Sequence, residues 1–181
     1  FIKAISKQFN SPVSLLVKEN SKANEFLSHT SYIDNIIYLK RDNKKNERHD
    51  GILGFFRLVS DIKKYNFEKV FIFNSSLRFH LIARLAGIKE INQYPLFEKQ
   101  NQHITEPAKN LIKDKLDIKI NENPEIQVDK NEIQQSIIKY KISEDDINIL
   151  LGIGGSGPTK RIPSSTFLKV MEKIDNQNKC K

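Results

Sequence analysis

The sequence predicts an α/β protein built on a doubly wound parallel sheet. Short apolar runs, typical of strands, alternate with longer segments whose apolar residues recur at helical spacing. This alternation favours parallel strands, because each helix returns the chain to the start of the next strand. Two of the apolar runs are followed by polar or glycine-rich turns, at the end of the sheet where open parallel sheets bind ligands.

In the first half of the chain, helices and strands alternate regularly. The elements expected there, in order, are a helix within 1–9, a strand at 12–17, a helix at 20–28, a strand at 36–39, a helix at 51–65, a strand at 69–73 and a helix at 77–85. The helix at 51–65 is expected to bury one apolar face, made of Ile52, Phe55, Phe56, Val59 and Ile62. The charged segment 40–50 lacks apolar spacing, so we expect a solvated loop. Because the chain begins with Phe1 inside a helical pattern, we expect it to lack its true N-terminus.

The second half contains fewer strands. The elements expected there are a strand at 90–94, a helix at 105–116, a helix from the capping residue Asp129 to about Tyr140, a buried strand at 147–151 and a helix that begins near Ser164. The two expected helices on either side of the strand at 147–151 are separated from it by polar or glycine-rich segments.

The composition of the 181 residues excludes several classes of protein. No run approaches the roughly 18 apolar residues of a membrane-spanning helix. One cysteine and four histidines exclude a disulfide framework and a zinc-finger array. A net charge of +8 suggests nucleic-acid binding, but the lysines are spread along the chain and mixed with acids rather than clustered with aromatic residues. We expect no nucleic-acid binding; a basic module for nucleic acid or an anionic membrane remains an alternative.

The glycine-rich turn after the expected strand at 147–151 carries the strongest chemical signal. Gly152, Gly154 and Gly157 have the spacing of a dinucleotide-binding fingerprint, but Pro158 and a second proline five residues later prevent a helix from starting there. A P-loop also fails, because Lys160 is neither preceded by glycine nor followed by serine or threonine. A dinucleotide-dependent Rossmann oxidoreductase therefore remains only as an alternative.

The same turn contains the groups that bind a diphosphate. Its glycines offer backbone N–H groups, Ser156 and Thr159 offer hydroxyls, and Lys160 and Arg161 offer positive charge just before a helix N-terminus. Phosphate oxygens accept hydrogen bonds from all of these donors. A solvated turn with incidental charges is the alternative interpretation.

At this point the sequence resembles glycosyltransferase family 9, the lipopolysaccharide heptosyltransferases. Segment 154–167 is similar to the family's donor-binding motif: a Gly-x-Ser/Thr turn, a lysine, a tryptophan-proline pair and a helix with a phenylalanine. Ile162 stands where the family usually has the tryptophan. Segments 71–78 and 83–88 resemble the family's strand, turn and helix ending in Leu-Ala-Gly-Ile, and His103 with the following helix also fits.

The resemblance implies the GT-B architecture, in which two Rossmann-like domains face each other across a cleft. Residues 1–142 would form most of the N-terminal, acceptor-side domain without its first strand. Residues 145–181 would begin the C-terminal domain that binds the nucleotide sugar.

The resemblance also implies an inverting, metal-independent transfer of a sugar, with heptose from ADP-heptose the first choice, to a lipopolysaccharide core acceptor. No cofactor is expected besides the donor substrate. We expect a cytoplasmic monomer at the inner face of the inner membrane, with weak peripheral membrane contact to reach its lipid-linked saccharide.

By the same resemblance, one set of residues would bind the donor phosphates: Lys160, Ser156, Gly154, Gly155 and Thr159. Ser76, Arg78 and His103 are candidates on the acceptor side. Arg78 could equally be a surface charge at the start of its helix, and His103 is more often a residue that forms hydrogen bonds where a helix begins. The family's catalytic base, an aspartate in a Gly-Asp turn, would lie before Phe1, so no base is named and this chain alone is expected to be inactive.

Overall fold

The computed structural model describes residues 1–41, 46–96, 103, 105–121, 123–143, 145, 147–152, 154 and 161–177. The chain divides into two compact units, Phe1–Gln127 and Val128–Lys181. The boundary between the units lies before the helix that starts at Lys130, whereas the boundary expected from the sequence lies after that helix.

The first unit contains five α-helices and four strands in its described residues. They are α1 (Ile2–Phe9), β1 (Val13–Lys18), α2 (Ala23–Leu27), β2 (Ile33–Leu39), α3 (Gly51–Lys63), β3 (Lys69–Ile72), α4 (Leu77–Leu85), β4 (Glu90–Gln93) and α5 (Thr105–Leu116), with a short 3-10 turn at Glu19–Ser21. Every helix and strand expected in this region is present, and the bounds of α4 and α5 are those expected from the sequence.

The strands pair in parallel, as predicted. β1 pairs with β2 and β3 pairs with β4, so each pair with its connecting helix forms a βαβ unit. In the described part of the chain these are two two-stranded sheets rather than one continuous sheet. The carboxyl ends of β3 and β4 lie side by side, because Ile72 is paired with Gln93.

One hydrophobic core joins the two βαβ units. Its buried members come from β2, α3, β3, α4 and the turn after α4: Leu39, Leu58, Ile62, Ile72, Ile82, Ala83, Ala86 and Ile88. Leu58 is completely buried, and burial of a side chain of this size contributes about 1.5–3 kcal/mol. α3 packs against α4 on this core. The core therefore fixes where the turn between β3 and α4 lies.

The buried face of α3 agrees in part with the one expected, since Ile62 is buried and Phe55 and Val59 pack against the core. Gly54, Leu58 and Ile62 are buried, whereas Ile52 and Phe56 are exposed. Gly54 explains the rotation, because a Cβ at this position would lie 2.2 Å from the backbone carbonyl carbon of His49. The missing side chain lets α3 approach the preceding segment closely and turns Ile52 and Phe56 away from the core.

The charged segment before α3 is less solvated than expected. Of its described residues, 40–41 and 46–50, the second group forms turns, and His49 is buried. The backbone of His49 lies against Gly54, and its imidazole bonds to the Lys40 N–H and to Asp61, so both residues hold this segment on α3. Residues 42–45 of the expected loop lie outside the described residues.

The second unit contains α6 (Lys130–Tyr140) and α7 (Ser164–Gln177). Asp129 caps α6, as predicted, by accepting hydrogen bonds from the backbone N–H groups of Asn131 and Glu132. The start of α7 at Ser164 was also predicted. The buried strand expected at 147–151 was wrong: only a single bridge residue, Ile147, is present there, and the side chain of Leu150 is 98% exposed.

That error has a physical reason. A run of isoleucine and leucine becomes a strand only when a neighbouring strand satisfies its backbone groups. In the described residues of this unit no strand lies beside the run.

In the described part of the whole chain, no helix has the length and apolar character needed to cross a membrane.

Candidate functional site

The turn between β3 and α4 lies at the carboxyl end of the β3–β4 pair. Ser76 is the N-cap residue of α4, and its backbone N–H donates to the Asn74 side-chain oxygen at 2.9 Å. This bond closes a short turn of the type that asparagine forms with the backbone two residues later. The Ser76 hydroxyl makes no capping hydrogen bond. The predicted acceptor-side residue Ser76 therefore lies at the carboxyl end of the strands, where open α/β folds bind ligands.

The side chain of Gln93 holds this turn in place. Its Nε2 donates to the carbonyl oxygens of Asn74, at 2.9 Å, and Ser76, at 3.0 Å. Its Oε1 lies 3.0 Å from Nδ1 of His80. Because an amide oxygen only accepts, the His80 Nδ1 must carry the hydrogen. Gln93 and His80 were missed from the sequence; the available signal was a polar residue at the last position of a strand.

Arg78, in the first turn of α4, reaches back to the start of α3. Its Nη2 donates to the carbonyl oxygen of His49 at 3.0 Å, and both terminal nitrogens lie 3.3 Å from the carbonyl oxygen of Gly51. Its guanidinium carbon lies 5.4 Å from the centre of the Phe55 ring. The Nε atom is buried and has no hydrogen-bond partner among the described residues.

The surroundings of Arg78 also affect its ionisation. Burial lowers the pKa of the guanidinium, Arg41 lowers it further, and Asp50 acts in the opposite direction. Arginine remains charged at any physiological pH. Arg78 therefore links α4 to the start of α3 by hydrogen bonds and is not a simple surface charge. Contact with an acceptor stays a prediction.

Asp61, on α3, has three side chains as hydrogen-bond donors. Asp61 accepts from Arg48 at 2.8–2.9 Å, from Lys64 at 2.9 Å and from Nε2 of His49 at 3.2 Å. The Nδ1 of His49 accepts from the backbone N–H of Lys40 at 3.0 Å. His49 therefore carries its hydrogen on Nε2.

The ionisation of Asp61 follows from these contacts. Desolvation raises the pKa of the carboxyl, but hydrogen bonds from Lys64, Arg48 and His49 outweigh it and hold the pKa far below its ordinary value. A carboxylate with so low a pKa is a poor general base near neutral pH. This cluster is therefore structural, and it fixes the segment whose carbonyls Arg78 binds.

His103 lies just before α5, away from α4 in the sequence. Its Nδ1 lies 2.8 Å from the Thr105 hydroxyl, and its carbonyl oxygen accepts from the backbone N–H of Glu106 at 2.9 Å. These contacts are those of a residue that starts a helix. A role for His103 toward an acceptor stays a prediction.

Most of the predicted donor-phosphate residues lie outside the described residues: Gly155, Ser156, Thr159 and Lys160. Gly154 is described and exposed, and a Cβ there would meet no atom within 4 Å. Arg161 is exposed as well, three residues before α7 begins at Ser164. A helix N-terminus thus follows the glycine-rich segment, as the phosphate-binding hypothesis requires.

Comparison with known proteins adds one finding. No family model matches the sequence, and no curated protein matches it. Among solved structures, the fold is similar to the crystal structure of the glycosyl transferase family 9 from Veillonella parvula DSM 2008, with a TM-score of 0.73 at 15% identity. The chain has the fold of a family 9 glycosyl transferase. The similarity covers 98% of this chain but 55% of the other, so the chain spans about half the length of that protein. The resemblance first seen in short sequence motifs is thus confirmed at the level of the fold.

Proposed function

We propose that this chain is part of a glycosyltransferase that moves a sugar from a nucleotide-diphosphate donor to a lipid-linked saccharide. The observation that carries the proposal is the similarity of the fold to a family 9 glycosyl transferase over nearly the whole chain. The glycine-rich segment directly before α7 supports it, since that segment combines N–H donors, hydroxyls and a lysine.

The chemistry of sugar transfer gives these groups a role. When the bond between sugar and diphosphate breaks, negative charge develops on the leaving phosphate oxygens. Fixed N–H groups and a cation aimed at those oxygens lower the barrier. We assign this stabilisation to Lys160, with Ser156, Gly154, Gly155 and Thr159 completing the phosphate site. No metal or cofactor is part of the proposal.

The finer features of the proposal follow the family. The organisation would be GT-B, with residues 1–142 on the acceptor side and 145–181 beginning the donor-binding domain. The donor would be ADP-heptose and the acceptor a lipopolysaccharide core, with inversion at the sugar carbon, in a monomeric cytoplasmic enzyme at the inner face of the inner membrane. Inversion needs a base for the acceptor hydroxyl. The sequence contains no Gly-Asp pair, so no base is assigned within these residues.

Ser76, Arg78 and His103 are the proposed acceptor-side residues. Ser76 has the best-supported position, because it lies at the carboxyl end of β3 and its hydroxyl is not used for capping. Arg78 would act on the acceptor mainly by holding this edge in shape, since its terminal nitrogens bind carbonyl oxygens. His103 would orient the start of α5.

Donor binding provides the test. Titration calorimetry of the full-length protein that contains this chain should give saturable binding of ADP-heptose, and Lys160→Ala should weaken it roughly tenfold or more, because a charge-assisted hydrogen bond is lost. Lys169→Ala is the matched control: Lys169 is an exposed lysine on α7, and its removal should change affinity by less than about twofold.

Two results would contradict the proposal. Tight binding of NADH with no binding of ADP-sugars would favour the oxidoreductase alternative. Binding of duplex DNA whose affinity falls steeply with salt, without donor binding, would favour a basic nucleic-acid module.

A further inference from the structure

Helix α3 exposes a group of large apolar side chains that the core does not use. Ile52, Leu53 and Phe56 are 78%, 72% and 58% exposed, whereas Leu58 on the opposite face is completely buried. We call these three residues the α3 apolar patch. Soluble proteins scatter single apolar residues over their surface, but a contiguous group of large ones marks a contact surface.

Two cations accompany the patch on the outward side of the same helix. At 3.6 residues per turn, Phe56 and Lys63 lie on one stripe two turns apart, and Arg57 lies one turn after Leu53. Arg57 and Lys63 are exposed, and neither forms an ion pair with another residue in the part of the chain that the structure describes. The only acid in α3, Asp61, already binds Arg48 and Lys64. The outward face of α3 is therefore apolar and basic.

The size and shape of this face indicate its partner. A stable protein interface buries about 800 Å² on each side, which is more than three side chains on one convex helix supply. A lipid surface needs no complementary shape, and it accepts protruding apolar side chains among its headgroups while arginine and lysine bind lipid phosphates. The long stems of both cations let their charges stay at the water boundary when the apolar residues insert.

We propose that the α3 apolar patch inserts into the headgroup region of an anionic membrane, with Arg57 and Lys63 bound to lipid phosphates. This membrane contact rests on the proposed function, because a transferase whose acceptor carries a lipid has to work at a membrane surface. Vesicle binding requires no donor, so the two proposals fail independently.

The absence of tryptophan from the sequence allows a direct test. Leu53→Trp places a single fluorophore in the patch, and Ile138→Trp is the matched control on α6, where Ile138 is 76% exposed. With vesicles containing about one third phosphatidylglycerol, the emission of the first variant should shift to the blue and be quenched by brominated acyl chains. The control should show neither change.

Vesicle flotation measures the energetic contribution of each group. Ile52→Ser with Phe56→Ser should lower the partition coefficient roughly tenfold or more, because both side chains lose their apolar burial. Ile138→Ser should leave it within about twofold. Arg57→Gln with Lys63→Gln should lower it roughly tenfold at low salt, and the effect should shrink as salt is added.

Several results would overturn the proposal. Equal binding to pure phosphatidylcholine would show that the cations do not bind lipid phosphates. An equal blue shift in both tryptophan variants would show that insertion is not specific to α3. Self-association or binding to an acidic polypeptide that the Ile52/Phe56 double variant abolishes, without vesicle binding, would assign the patch to a protein partner. If vesicle binding fails while ADP-heptose still binds, only the membrane contact is wrong.

Discussion

The two units of the chain treat their apolar side chains differently. In Phe1–Gln127, strands and helices bury leucine, isoleucine and alanine side chains in two hydrophobic core clusters. In the described residues of Val128–Lys181, no hydrophobic side chain is buried, and Ile138 and Leu150 are largely exposed. The first unit is therefore held by packing, whereas the helices of the second depend on local signals such as the Asp129 cap.

Truncating a large apolar side chain should lower the free energy of unfolding far more in the first unit than in the second. Leu58→Ala creates a cavity at a completely buried position, so the free energy of unfolding should fall by about 2–5 kcal/mol. Leu168→Ala, at an exposed position of α7, should change it by less than about 0.5 kcal/mol. Urea unfolding followed by circular dichroism measures both. Equal losses would mean that Leu168 is buried in solution and that the comparison fails.

The Asp61 cluster gives the stability of the first unit a pH dependence. Asp61→Asn removes the charged acceptor of hydrogen bonds from three side chains, and the free energy of unfolding near neutral pH should fall by about 1–3 kcal/mol. Because the folded pKa of Asp61 is depressed, its contribution is complete above the ordinary value near 3.8 and is lost as the pH falls toward the folded pKa.

The difference between wild type and Asp61→Asn should therefore stay constant from neutral pH down to about 5 and shrink below about 4. Urea unfolding at several pH values measures it. A constant difference down to about pH 2 would show that Asp61 acts through packing rather than charge.

Removing a helix cap should lower stability least of all these changes. In this case the larger loss is expected in the second unit. Asp129→Ala should destabilise α6 by about 0.5–2 kcal/mol, because the N–H groups of Asn131 and Glu132 lose their acceptor. Ser76→Ala should cost α4 less than about 0.5 kcal/mol, since the Ser76 hydroxyl makes no capping bond. Amide hydrogen exchange resolves the two helices separately, and greater loss of protection in α4 than in α6 would reverse the interpretation.

Helix boundaries set by turn and capping residues were predicted from the sequence, whereas features that depend on backbone packing or strand pairing were not. The start of α7 after Pro163 and the end of α4 at Ala86 and Gly87 were predicted because local residues set these boundaries. The exposure of Ile52 and Phe56 was not predicted, since it depends on a close backbone contact between Gly54 and His49 that the apolar spacing does not signal. The strand at 147–151 failed for lack of a paired strand in the described residues.

The candidate site divides in the same way. Ser76 and Arg78 were found because they follow a strong strand signal directly in the sequence. Gln93 and His80 were missed, because the turn they support lies 17–19 residues before Gln93. Their importance becomes visible only when β3 and β4 pair and bring Gln93 beside the turn.

The Gln93 amide has a consequence for how this protein can evolve. One side chain satisfies two carbonyl oxygens and the His80 ring at once. A glutamate at this position would set a carboxylate oxygen against both carbonyl oxygens, and a leucine would remove all three hydrogen bonds. Positions 80 and 93 are therefore constrained as a pair, so divergent descendants of this chain should exchange both residues together or neither.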